Sequence, residues 1–300
     1  MSKFISYGAS GFSKFMYPLY LFKNDRKRLA FWKKEHQIFM QLGQEIDKLY
    51  GYEGILALMK IISSHHLKKR LLLLNKVNEY IKYFDYWFPD SRTICSIESA
   101  IPRYKYRENT LQRNPKEDIE GKVSLLSMPV LTFPWTIDRF KNCMGYIGTD
   151  HDNPWKQDEY NHYMAYFHPF SIGWIHNGNH SIATGMIKGE GEVTPRYYYD
   201  MSHIYSRIAF DGVKWKYDKD YNCPAANNFE YVGTLYELSR FIKSSGVGML
   251  EVLSIEKKVK EEQIIDLIKA KHERFYFDEI KLDSMINEHF YKAIQDSNNG

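Results

Sequence analysis

The residues best placed to do chemistry lie between positions 170 and 192. An apolar strand, Phe170 to Ile175, leads into Asn177, Gly178, Asn179 and His180, and a helix is expected to begin near Ser181. Small turn-forming residues let a backbone reverse and come close to a ligand, while the first N–H groups of a helix have no partner of their own. Such a turn is an anion receptor, so Asn177, Gly178, Asn179, His180 and Ser181 are the candidate phosphate-binding residues. His176 and His180 flank the turn as proton carriers, and Glu190 and Glu192 are the first carboxylates after the helix. If the chain is an enzyme, His180, Glu190 and Glu192 are its general acid–base candidates. Each has a plainer reading beside it: Ser181 as a helix N-cap, and the two glutamates as polar residues entering a strand.

Other chemistries find less support. Six of the eleven histidines, at positions 151, 162, 168, 176, 180 and 203, fall close together, with Asp150 and Asp152 beside His151. Their spacing matches no metal-ligand pattern, so neither a metal nor a cofactor is expected. The glycines from Gly185 to Gly191 follow a helix and do not precede one, which fits a C-cap and a turn, not a nucleotide loop. Cys95, Cys143 and Cys223 are odd in number and widely spaced, as idle thiols would be.

Those residues need elements to hold them. Helical spacing predicts a helix from about Asp25 to Tyr50, a break at Gly51, and further helices over Tyr52 to Ser63 and His66 to Phe84. The run Leu71 to Leu74 is apolar all round and is expected to be buried. Pro89 to Gly121 reads as a linker, and Val123 to Phe133 as a strand ended by Pro134. The segment from Thr136 to Asn161 is a long loop or conceals a short helix, followed by a helix at about Gln157 to Phe167. Beyond the motif, a strand is expected over Glu192 to Asp200 and a hairpin over Ile204 to Tyr217 that turns at Asp211-Gly212. Helices follow at about Thr234 to Lys243, Lys258 to Lys271 and Phe277 to Ala293, with a frayed tail from Asp296.

A net charge of +4 is too small to argue for nucleic acid by itself, but it is unevenly spread. Residues 1–120 hold 21 Lys/Arg against 13 Asp/Glu, a surplus of eight that the remainder offsets by four. Lys68, Lys69 and Arg70, with Arg103, Lys105 and Arg107, form the basic clusters expected to meet an acidic partner, and nucleic acid is a weaker candidate there. Aromatic residues make up 16% of the chain, 24 of them tyrosines, a composition suited to contact surfaces. No apolar run approaches the roughly 20 residues that span a bilayer, so no membrane association and a cytoplasmic location are expected.

The order strand, helix, strand, Asn177-Gly178-Asn179-His180 turn, helix resembles the ParB/sulfiredoxin-like superfamily over residues 123–195. The resemblance implies a mixed α/β core that grips phosphate at an Asp-Gly-x-His-Arg type of turn. Two positions depart from it: Asn177 stands where an acidic residue is usual, and Ser181 where the family has arginine. Losing the planar, permanently charged fork points to a weakened or repurposed site, since Lys188 is two turns away. Viewed whole, the chain is similar to phage counter-defence proteins that block the Gabija nuclease complex, which implies a stoichiometric inhibitor of a host defence complex. The expected class is therefore α+β: a basic helical region with its linker at 1–120, an α/β core with a β-hairpin at 121–232, and C-terminal helices at 233–300. The favoured role is non-catalytic binding of a host defence protein complex, with homo-oligomerisation as a separate partner expectation. A nucleotide-using enzyme or nuclease with its phosphate site at Gly178 to Ser181 stands as the alternative, and a DNA-binding regulator as the third class.

Overall fold

The computed structural model describes residues 11–80, 112–114, 121–217, 221–224, 231–254 and 261–292. In chain order the elements are α1 (Gly11–Tyr80), β1 (Gln112–Asn114), β2 (Val123–Ser124), β3 (Val130–Leu131), α2 (Ile137–Tyr146), β4 (Tyr163–His168), β5 (Ile172–Asn177) and α3 (Asn179–Lys188). They continue with β6 (Glu192–Val193), β7 (Tyr197–Asp200), β8 (Ile208–Phe210), β9 (Lys214–Tyr217), β10 (Tyr221–Pro224), α4 (Val232–Ser245), α5 (Met249–Leu253), α6 (Glu261–Lys271) and α7 (Glu273–Ile286). This is an α+β protein with a helical N-terminal region and C-terminal helices around small sheets.

The helical run α1 bends at Gly51, whose φ of 60° and ψ of −155° lie outside the helical region. Before the bend, Phe39, Leu42 and Ile46 recur every three or four residues and are buried as one stripe. After it, Ile55, Leu56, Leu58, Met59, Ile61 and Ile62 are buried on nearly every side. That second half meets α6 and α7 through Lys60, His65 and Lys68, whereas α4 packs on the first half at His36 and Gly43. Leu71, Leu72 and Leu74 are buried as their composition demands, in a smaller cluster with Phe140, Ile286 and Phe290.

The main sheet has the order β1-β7-β4-β5-β3. β4 and β5 form an antiparallel hairpin, β3 runs parallel to β5, β7 parallel to β4, and β1 antiparallel to β7. Its inner face buries Met164, Tyr166 and Tyr198, and Trp174 is also fully enclosed. The expected hairpin at Asp211-Gly212 forms as β8 and β9, with Gly212 at φ 92° and the Asp211 carboxylate accepting the Val213 N–H at 3.0 Å. A third strand, β10, extends it.

Several elements differ from the sequence expectation. The strand over Val123 to Phe133 is two short strands, because a turn closes where the Met128 N–H bonds the Ser124 carbonyl. The helix at 157–167 is absent, and Tyr163 to His168 is β4: its β-forming aromatics gain a ladder on both sides from β5 and β7, which outweighs helical spacing. The strand over Glu192 to Asp200 divides into β6 and β7, with Pro195 between them. Tyr52 to Tyr80 is one continuous helical stretch with no gap after Ser63. The Thr136–Asn161 segment does conceal a helix, α2. The linker at 89–120 apart from β1, the continuation of α1 towards Phe84, and the tail from Asp296 lie outside the described residues.

The Gly51 backbone sits in a region that is essentially glycine-only, while a Cβ there would meet no atom within 4 Å. Gly51→Ala is therefore expected to destabilise the fold by about 1–3 kcal/mol through backbone strain alone, read from urea unfolding midpoints.

Candidate functional site

The strand-to-helix turn is built as its residues dictate, and then covered. β5 ends at Asn177, Gly178 adopts φ 80° and ψ 20°, and α3 starts at Asn179. Ser181 is thus the third residue of the helix and not its N-cap; the cap position belongs to Gly178, whose left-handed backbone reverses the chain two residues earlier than Ser181 would. A Cβ on residue 178 would collide with Cδ2 of His162 and lie 3.1 Å from the Asn161 carbonyl oxygen, so the Asn161–His162 backbone lies across the turn. Asn177 reaches the same segment, donating from Nδ2 to Asn161 Oδ1 at 3.2 Å.

Each polar side chain of the motif then holds another part of the protein. Asn179 is fully buried, and its Oδ1 accepts the Phe133 N–H at 2.7 Å and the Thr132 hydroxyl at 2.9 Å. Its Nδ2 has no hydrogen-bond partner among the described residues. His180 Nε2 lies 3.2 Å from the Thr136 N and 3.4 Å from the Trp135 N and accepts from both, so its proton is on Nδ1. Burial, followed by the positive charge of Arg139 and then that of Arg70, pushes the His180 pKa down to about 4. Ser181 donates to the Gly178 carbonyl at 3.1 Å and sits 2.6 Å from His162 Nε2. Since His162 Nδ1 accepts the Asp158 N–H at 2.8 Å, its Nε2 carries the proton and donates to Ser181. Trp155 stacks on His162 at 4.8 Å and donates from Nε1 to the Ser181 carbonyl at 2.7 Å.

The carboxylates are placed elsewhere. Glu190 accepts the backbone N–H groups of Thr149 and Trp155, at 3.1 and 3.3 Å, and so fixes the loop that follows α2. Glu192 is exposed on β6, 3.6 Å from Lys122. Lys188, at the far end of α3, pairs with Asp150 at 2.7 Å. His151 Nε2 lies 3.1 Å from the Met144 carbonyl oxygen, and His176 is exposed. No group of three or more His, Cys, Asp or Glu among the described residues is arranged to hold a metal ion. Cys143 is a free, half-buried thiol whose pKa burial raises.

The basic cluster on α1 faces inward more than outward. Lys68 pairs with Glu279 and Asp283 on α7, and Lys69 stands 4.0 Å from Asp278. Arg70 donates from Nε to the Pro134 carbonyl at 2.8 Å, with its guanidinium 5.7 Å from the Phe133 ring centre. Arg103, Lys105 and Arg107 lie outside the described residues. Sequence reasoning overlooked Arg139 and Arg70 as the charges nearest the turn; both are distant from it in sequence, and only the packing of α1 and α2 against α3 brings them there.

Residues 31–247 match the model of a family of unknown function, DUF6710. The chain belongs to that family. Its matched span in DUF6710 runs from within α1 to just beyond the end of α4 and so contains the whole turn, whereas α5, α6 and α7 follow it. No curated protein and no solved structure matches the chain.

Two outcomes follow from a turn held by internal hydrogen bonds. Asn179→Ala strands the Phe133 N–H in the core and is expected to lower stability by about 2–4 kcal/mol in denaturant titration. His180 is neutral when folded and takes a proton near pH 6.5 when unfolded, so the unfolded chain binds more protons as pH falls from about 6.5 to about 4. Stability should fall across that window on acidification, and urea midpoints should fall less in His180→Gln, whose side-chain oxygen keeps the acceptor.

Proposed function

We propose that the chain is a non-catalytic binding protein that acts on a macromolecule by direct contact. The observation that carries this reading is the state of the motif: Asn179, His180, Ser181 and Glu190, the residues with the right chemistry, each hold a group within the fold. A general base needs a proton within reach on a substrate, and His180 instead has its free nitrogen turned to two backbone N–H groups. Exposed aromatics such as Tyr146 and Tyr160, 64% and 89% accessible, offer the kind of rigid, amphipathic side chain that contact surfaces favour.

The partner proposed is a bacterial nucleic-acid-processing defence complex of the Gabija type, met in the host cytoplasm and stopped from binding or cutting DNA. That choice rests on the whole-chain likeness to phage counter-defence proteins, and the core is read as a ParB/sulfiredoxin-like scaffold put to a new use. Among the described residues no helix is long and apolar enough to cross a membrane.

One observation favours the alternative, a nucleotide-binding enzyme or nuclease. Arg139 and Arg70 both act electrostatically on His180, and so bring to the start of α3 the positive charge that Ser181 does not supply.

Two measurements separate these readings. Mixed with a purified Gabija complex, the chain is expected to co-elute with it and abolish its DNA cleavage, and Arg139→Ala should leave both effects intact. Failure to co-elute removes this partner. Nucleotide binding that is saturable and lost in Arg139→Ala transfers the assignment to the enzyme.

A further inference from the structure

The helix α7 buries Phe275, Leu282 and Ile286 within the molecule and carries a second apolar surface on its outer side. Phe277 and Ile280 are 57% and 49% exposed there. No other two exposed large apolar side chains among the described residues lie within one helical turn of each other in the chain, and the neighbouring α6 exposes none. Apolar side chains that surface singly are ordinary, whereas a pair on one helix face between charges has the form of a contact surface.

The flanking charges are ordered. Glu273, Phe277 and Lys281 recur every four residues, all three are exposed, and together they form one ridge of the helix. The carboxylates on the α1 side of α7 are already held: Lys68 pairs with Glu279 and Asp283, and Asp278 stands 4.0 Å from Lys69. Glu273 and Lys281 form no ion pair among the described residues. Eight positions set them about 12 Å apart along the axis, too far to meet each other. The ridge therefore has an acid at one end, a base at the other and an aromatic ring midway, so it is complementary to its own reverse. Two such ridges align when antiparallel helices cross at about −50°, the commonest packing class. Each Glu273 then faces the partner's Lys281, and the two Phe277 rings meet at the two-fold axis with Ile280 beside them.

We propose that the chain forms a two-fold dimer through the outer ridge of α7, centred on Phe277 and closed by two Glu273–Lys281 ion pairs. A second copy is the occupant because an isologous contact requires a patch that complements itself, and the order of charges on this ridge meets that requirement. α7 has 14 residues and is about 21 Å long, so the contact falls at the low end of interface sizes and the dimer forms in a concentration-dependent way. The dimer is independent of the role proposed above: a chain that fails to recognise a defence complex would still pair with itself.

Sedimentation velocity of the full chain over about 1–200 μM tests it. A dimer fraction that rises with concentration is expected. Phe277→Ser, at the centre of the contact, should weaken association about tenfold or more. Glu273→Lys and Lys281→Glu each set like charges opposite one another twice and should each weaken it about threefold or more. Mixed in equal amounts, those two variants present opposite charges again and should associate with each other nearly as well as the unaltered chain does, while thermal unfolding shows all three variants folded. A chain that stays monomeric at every concentration overturns the proposal and leaves the ridge to a different protein. So does a dimer that Phe277→Ser leaves unchanged, or a mixture of the two charge variants that associates no better than either alone.

Discussion

The side-chain carbonyl of Asn179 accepts two hydrogen bonds from the residues that leave β3, and much of the central architecture follows from that. Phe133 and Thr132 stand just past the end of a two-residue strand, where the ladder with β5 has run out. A buried backbone N–H at such a place needs an acceptor or costs about as much as a lost hydrogen bond. Asn179 supplies one from the first turn of α3, so β3, β5 and α3 are fixed to each other at a single point. His180 continues the arrangement one residue on, taking the Trp135 and Thr136 N–H groups and setting where α2 starts. His162 and Trp155 close the other side through Ser181.

A second constraint joins the ends of the chain. The basic surplus of residues 1–120 meets the acidic remainder inside the molecule: Lys60 with Glu261, Lys68 with Glu279 and Asp283, and Glu45 with Lys271 in the reverse sense. Two histidine–carboxylate contacts lie deeper, Glu35 with His272 at 2.9 Å and His65 with Glu279. Exposed pairs of this kind contribute little, but a buried one is costly to break because it leaves a charge without a partner. The helices α6 and α7 are thereby registered against α1 by specific contacts, with Phe275 packed between the rings of Phe39 and His65. The uneven charge distribution thus has an internal explanation where the described residues cover it.

What could be read from the sequence was what local chemistry decides. Gly51 announces its bend because no other residue tolerates φ 60° with ψ −155°, and Asp211-Gly212 announces its hairpin for a similar reason. The strand–turn–helix order at 172–188 was legible from an apolar run meeting Asn-Gly-Asn. β4 was not, since Tyr163 to His168 carries apolar residues that suit either period, and only its neighbours on both sides decide between them. The site was legible as a place and not as a state. Residue type alone makes Asn179 and His180 anion-binding candidates; which groups they meet depends on β3, α2 and the 155–162 segment folding over them. Arg70 and Arg139 lie too far away in sequence for any spacing rule to join them to His180.

The turn at Gly178 lies under the Asn161–His162 backbone, and its side chains hold other segments of the fold. The start of a helix offers unpaired N–H groups, and a fold can answer them with a ligand or with its own side chains and backbone. Here the neighbouring side chains answer the converse need, that of backbone N–H groups stranded at the ends of β3 and ahead of α2. Asn and His suit this because each presents an acceptor on a short, stiff stem, and neutral His180 can accept where a protonated ring could only donate. An arginine at position 181 would have no acceptor to offer His162 Nε2–H, and would set a guanidinium beside the Trp155–His162 stack. Serine at that position suits the closed turn, in which the Asn161–His162 backbone lies over Gly178.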